Sequence, residues 1–291
     1  MQNNPDQFSS KIGFVLAAAG SAVGIGNLVG FPVAAAKNGG GAFLLLYIFF
    51  VLAICLPLIL AELSMGRATG KSPMGAFREI SKGHKGWVVA GALSLVTPFM
   101  IAVFYSVLTV WLLGYLTLVL GGQLDQLATP VYFGGFITKP WIFVYLAAVI
   151  AMVIFVLKGG VRDGIEKASR LLMPMLFLML IGLTAFVLTL PNASAGLKFY
   201  FTPQIDRITW SVVNGALSQA FFSLSLGMGI LITYGSYLRK QDNLVQSAKM
   251  LACTDTGVAL VAGLMTLPAI FAIYPNTNPS ELSDSSVGLI F

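Results

Sequence analysis

The stretch AAAGSAVGIGNLVGFPVAAAKNGGGAF, residues 17–43, is apolar enough to cross a membrane, yet it carries Gly20, Gly24, Gly26, Asn27, Gly30 and Pro32. An interior glycine costs a helix roughly 1 kcal/mol relative to alanine. The sequence therefore predicts one span that unwinds near its middle. Backbone freed in that way cannot face lipid, where each unpaired amide or carbonyl costs several kcal/mol, so it must line an internal polar site.

The rest of the 291 residues agrees with a lipid solvent. Hydrophobic residues make up 57%, charged residues 10%, and the mean hydropathy is +0.87. Such a chain cannot cover itself with polar surface. Apolar runs of spanning length, without strand-like alternation, predict an all-α polytopic membrane protein rather than an outer-membrane barrel. Seven spans are read at 11–36, 42–66, 88–121, 140–157, 171–190, 210–238 and 250–274. The first is too long and too glycine-rich for a cleaved signal peptide.

Basic residues set the orientation. With a cytoplasmic N-terminus, thirteen Lys and Arg fall inside and four (Lys37, Lys139, Lys198 and Arg207) fall outside, which favours that topology. The same distribution accounts for the net charge of +6 without nucleic acid, since no basic stripe or interleaved aromatic platform is present. Cys55 and Cys253 sit in apolar runs without CxxC spacing, and the single histidine, His84, lies in a loop. Neither a disulfide framework, a zinc site nor an intramembrane catalytic centre is indicated.

The interruption occurs twice. In QAFFSLSLGMGILITYGSY, residues 219–237, Ser223, Ser225, Gly227 and Gly229 break the sixth span, and Gly227-Met228-Gly229 echoes Gly24-Ile25-Gly26. Matching breaks at the start of two five-helix sets point to an inverted-repeat transporter with its site at the membrane midplane. A dinucleotide-binding GxGxxG reading fails, because Gly24–Gly30 follows no strand and lies inside a span. Close helix packing remains an alternative for Gly20, Gly24 and Gly114 taken singly.

An unwound segment offers amides to an anion and carbonyls to a cation. The ligands implied are a small zwitterion or anion and a hard monovalent cation. Asp255, in ACTDTGVAL of the seventh span, is the sharpest ionisable candidate, with no Lys or Arg in that span to neutralise it. For Glu62, in AELSMGR, a plain end-cap role competes. Tyr47 and Gln219 are polar groups in apolar spans that could merely satisfy a neighbour.

These motifs together resemble the neurotransmitter:sodium symporter family, in particular its bacterial amino-acid branch, whose leucine transporter illustrates the broken-helix principle. The resemblance rests on GSAVGIGNLVGFP with KNGGGAF, AELSMGR, SLSLGMG with TYGSYLRK, and TDTGVALVAGLMTLPA, and it covers nearly the whole chain. It implies a fold of two inverted five-helix repeats with helices one and six broken, here as spans 1–7. On that plan 1–10 is a cytoplasmic segment, 11–190 the first repeat, 191–209 an extracellular loop, 210–274 the start of the second repeat and 275–291 a further extracellular loop. DSSVGLIF, 284–291, resembles the opening of the family's loop helix, which implies a chain stopping before span eight, with an incomplete site and an exposed flank.

The resemblance further implies sodium-coupled uptake of an amino acid by alternating access in the inner (plasma) membrane, without an organic cofactor. Membrane lipid and sodium are its partners, and a homodimer is compatible with it. Ala22, Asn27, Ser223 and Asp255 match the first sodium site, and Gly20 and Val23 match carbonyl ligands of a second. Ile25 and Gly26 would offer amides to the substrate carboxylate, with Tyr105 as hydroxyl donor. Ser21, Ile101, Phe222, Ser225 and Met228 would line the pocket, and Glu62 would cap free amides of span six. Gly24 stands where monoamine carriers place an aspartate, which favours an amino acid, and the apolar pocket favours an apolar or aromatic side chain.

Departures from the family are informative. Asp255 replaces the usual asparagine, and Ala259 replaces the serine of chloride-dependent members. Asp255 is therefore expected to ligate sodium and to supply chloride's negative charge, although Tyr47 and Gln219 match chloride-site positions. Gly30 and Pro5 stand where gating arginines are common, and Phe8 keeps an aromatic at the inner gate. The competing reading is a membrane receptor or assembly protein, or an inactive truncated product, with the same fold.

Overall fold

The computed structural model describes residues 11–123, 130–239 and 241–275, and every regular element among them is helical. Pro5, Phe8 and the segments 1–10 and 276–291 lie outside the described residues.

The first span is broken. Helix α1 (Lys11–Ala22) ends before the first close pair of glycines, and a π-helical turn, Gly26–Gly30, leads into α2 (Phe31–Lys37). The two halves are bent by 58°. Pro32 sits in the first turn of α2, where its missing N–H costs nothing. The second span runs through α3 (Gly41–Phe50), a π turn (Val51–Cys55) and α4 (Leu56–Thr69), closed by Gly70 in the left-handed conformation. A short helix, α5 (Pro73–Ile80), leads to α6 (Lys85–Leu120), the third span.

After α7 (Pro130–Ile137) come α8 (Ile142–Lys158), a π turn at Gly160–Glu166 and α9 (Lys167–Leu188). Helical structure thus begins well before residue 171, where the fifth span was expected. Polar residues hid this extension, which an ion pair between Glu166 and Arg170, four apart at 2.6 Å, supports. The segment 191–209 is not simply a loop. It contains α10 (Ala193–Phe201), whose Tyr200 is fully buried and donates its hydroxyl to the Leu260 carbonyl at 3.1 Å. Burial pushes that phenol well above its ordinary pKa, so it remains a donor.

The sixth span is the second broken one. Helix α11 (Trp210–Ser223), capped by Thr209, ends where Leu224–Gly229 leaves helical geometry, and α12 (Ile230–Ser236) resumes it. Ser225, Gly227 and Gly229 all have positive φ (54°, 76° and 68°), a conformation glycine adopts freely and serine does not. Helix α13 (Leu244–Ile273) starts at the cap Asn243, whose Oδ1 accepts the Gln246 amide at 3.1 Å. That cap explains why the seventh span begins six residues ahead of the expected 250.

Four of these helices are long and apolar enough to cross a membrane, or five with the bent first pair counted as one. Helix α8, at 17 residues, and the two halves of the sixth span fall below that length because of where they stop. Burial separates a central group from a peripheral one. In their apolar windows α13 is 44% buried and the second span 39%, against 11% for α6. The core is formed by Phe14, Phe31, Phe43, Tyr47, Leu63 and Leu251 among others, while Phe99, Phe143 and Phe155 point outward, as lipid contact requires.

Helices α4 and α12 approach closely. A Cβ at Gly66 would collide with the Ile232 carbonyl, and one at Gly235 would lie 2.5 Å from the Leu63 carbonyl oxygen. Small residues here let the second half of span six lie on span two. Gly235→Leu is expected to cost about 1–3 kcal/mol of stability. A thermal unfolding midpoint equal to the wild type would contradict this packing.

Candidate functional site

The two breaks face each other, and α13 closes the space between them. Asn27, in the π turn of span one, is fully buried, as is Asp255 in α13, and Ser223, the last residue of α11, is 1% exposed. Asn27 Nδ2 donates to Asp255 Oδ1 at 2.8 Å, to the Asp255 carbonyl at 3.3 Å and to Ser223 Oγ at 3.0 Å. Ser223 Oγ donates to Asp255 Oδ2 at 2.7 Å and lies 3.5 Å from the Tyr47 hydroxyl. No lysine or arginine pairs with Asp255 among the described residues.

A buried carboxylate held only by neutral donors carries an uncompensated negative charge, so the cluster suits a cation. The donor set is oxygen-rich: the Asp255 carboxylate, the Ser223 hydroxyl and the Asn27 amide. Hard alkali ions take such ligands. Asn27 turns its NH₂ toward the carboxylate and its Oδ1 toward the Gly24 amide, 3.2 Å away. Ligation by Asn27 therefore requires its side-chain amide to turn over.

Beside this cluster lies a cavity of about 180 Å³ lined by Ser21, Ala22, Gly26, Ile101, Tyr105, Phe222, Ser223, Ser225 and Met228, together with Pro98, Ala102 and Ile230. Its volume is below the roughly 300–1,000 Å³ of drug-sized sites and suits a smaller molecule. Its lining combines the hydroxyls of Ser21, Tyr105, Ser223 and Ser225 with the apolar side chains of Ile101, Phe222 and Met228. The Gly26 N–H faces the Tyr105 hydroxyl, and a Cβ on Gly26 would lie 2.9 Å from Phe222 Cε1. A Cβ on Gly24 would meet nothing nearer than Tyr105 Cε2 at 4.0 Å, so that position has space for a side chain but has none.

Other expected residues are distributed as follows. Glu62 Oε1 accepts the Gly227 amide of the second break at 2.7 Å, while its other carboxylate oxygen is buried without a hydrogen bond. Gly20 lies beside Ser169 and Met173 of α9, away from the Asp255 cluster, and Val23 is buried with its amide bonded to the Ala19 carbonyl. Ile25 is not among the cavity-lining residues, whereas its neighbour Gly26 is. Gln219 does not join Tyr47 and Ser223. Its Nε2 donates to the Gly26 carbonyl at 3.0 Å.

Sequence reasoning passed over Pro98, Ala102, Ile230 and Tyr234. Tyr234 of α12 hydrogen-bonds the Ser21 side chain across the two breaks. Pro98 carried a signal, a proline within a 36-residue apolar helix. Ala102 and Ile230 carried none.

The sequence matches the profile of the Sodium:neurotransmitter symporter family over residues 5–128 and 122–291. The chain belongs to this family. Among similar symporters, the sodium-dependent transporter YhdH of Bacillus subtilis is 37% identical over 97% of this chain and 63% of its own length. A sodium-dependent transporter of Haemophilus influenzae is 35% identical over 96% of this chain and 64% of its own. The crystal structure of MhsT in complex with L-phenylalanine superposes with a TM-score of 0.86 at 39% identity, covering 98% of this chain and 65% of that one. The chain thus spans just under two thirds of the relatives' length. The family is one of transporters, which agrees with the inverted-repeat fold and the absence of an enzyme-like reading.

Proposed function

We propose that this chain forms the ion- and substrate-binding part of a sodium-coupled symporter for apolar or aromatic amino acids, working by alternating access. The observation that carries this reading is the buried Asp255–Asn27–Ser223 cluster at the junction of two broken spans, with a small, largely apolar cavity beside it. Sodium would sit among the oxygens of Asp255, Ser223, Asn27 and the Ala22 carbonyl. The substrate carboxylate would lie on the amides of Ile25 and Gly26, within reach of Tyr105. Ile101, Phe222 and Met228 would hold the side chain, and Ser21 and Ser225 the amino-group end. Gly20 and Val23 would supply carbonyls to a second ion. The resemblance to MhsT, bound in its crystal to L-phenylalanine, supports the substrate class.

Charge balance favours independence from chloride. Asp255 already places a negative charge beside the cation, Ala259 offers no hydroxyl, and Gln219 uses its donor on backbone. The bias of basic residues favours a cytoplasmic N-terminus, with the loops around α5 and 158–170 in the cytoplasm and α10 outside, and the family resemblance favours the inner membrane.

The test is uptake of labelled L-phenylalanine and L-leucine by the full-length protein in proteoliposomes, driven by an inward sodium gradient. Uptake should persist when chloride is replaced by gluconate and vanish when sodium is replaced by potassium. Uptake indifferent to sodium would overturn the reading, and full dependence on chloride would remove the assigned charge role of Asp255.

A further inference from the structure

Gln219 occupies a position that family resemblance gives to an anion site, but the structure connects it elsewhere. Its side chain reaches from α11 to the π turn of span one, where Nε2 meets the Gly26 carbonyl at 3.0 Å. A carbonyl can only accept, so the amide must present its NH₂. The same carbonyl receives the Phe31 amide that closes the π turn. Both acceptor directions of Gly26 are thereby used, one within span one and one from span six. On its other side the Gly26 N–H faces the Tyr105 hydroxyl at the cavity. A Cβ built on Gly30 would lie 3.8–3.9 Å from the Gln219 amide, in ordinary contact, so the side chain lies directly against the turn.

We propose that Gln219 is a positioning residue. Its amide fixes the peptide following Gly26, holds the π turn open, and so aims the Gly26 N–H into the cavity where a carboxylate would bind. The π turn is the element at stake. A π turn is rarer than an α turn and is retained only where its surroundings favour it. Without the side-chain donor, one lone pair of a buried carbonyl loses its partner and the turn is free to relax toward α geometry, rotating the amides. The role in carboxylate binding rests on the substrate reading above, whereas the role in holding the turn does not.

Two variants separate donor from bulk. Gln219→Met removes the donor at nearly unchanged volume, and Gln219→His keeps an N–H at about the same reach. In the full-length protein without amino acid, hydrogen exchange of the 24–31 backbone should be about tenfold faster in Gln219→Met than in the wild type, and near wild type in Gln219→His. In uptake, Gln219→Met should raise KM for L-phenylalanine about tenfold with kcat within twofold, and Gln219→His should restore most of it. Unchanged exchange in Gln219→Met would overturn the positioning role. Altered exchange with unchanged KM would overturn its link to the carboxylate. Failure of the wild type to transport any amino acid would count against the substrate reading and leave the exchange result to decide the turn.

Discussion

Replacing Asp255 by asparagine lowers sodium-dependent uptake by about 100-fold in chloride-free medium, with a smaller deficit when chloride is present. The side chain keeps its size and one acceptor oxygen but loses the only charge in the cluster. Breaking a buried charge pair by removing one partner costs about 3–5 kcal/mol, which corresponds to at least the 100-fold stated. Here the partner left unpaired is the cation. The asparagine can still exchange hydrogen bonds with Asn27 and Ser223, both within 3 Å of the present carboxylate, so the fold should survive and the thermal midpoint without sodium should change little. Added chloride can replace part of the lost charge, as Tyr47 remains close to Ser223. Wild-type uptake by Asp255→Asn in the absence of chloride would contradict the assignment.

The second large effect is steric. Gly26→Val places a branched side chain where even a Cβ comes within 2.9 Å of Phe222 Cε1 and 3.6 Å of the Tyr105 hydroxyl. In a cavity of about 180 Å³ those atoms occupy the space proposed for the substrate. Amino-acid binding should weaken by about 100-fold or more, while sodium binding, centred on Asp255, should fall much less. This dissociation follows from geometry, since Gly26 lines the cavity and Asn27, one residue on, reaches the ion cluster. Equal losses of both ligands would show that the variant disturbs the whole break.

Much of this arrangement is legible in the sequence because lipid leaves few alternatives. Glycines spaced by two in an apolar run mark a break, and a carboxylate without a basic neighbour in its span marks a site. Both signals are local. The features that were not legible are those set by tertiary contact. Nothing in GVRDGIE announces a π turn continuing helix α9 toward its N-terminus, since its polar residues read as loop; the Glu166–Arg170 pair and packing against α1 and α8 support it as helix. Tyr200 sits in a segment of loop-like length, and its burial depends on α13. Gln219 was visible as a polar residue in an apolar span, but its partner is a carbonyl 193 residues away, which no spacing within either span encodes.

The most direct measurement is equilibrium binding of labelled L-phenylalanine to the purified full-length protein, titrated with sodium at constant ionic strength. The account predicts saturable binding in sodium, its loss in potassium, and reciprocal tightening of sodium by the amino acid, since linked ligands affect each other equally. Sodium-independent binding, or no binding of any apolar or aromatic amino acid, would contradict it.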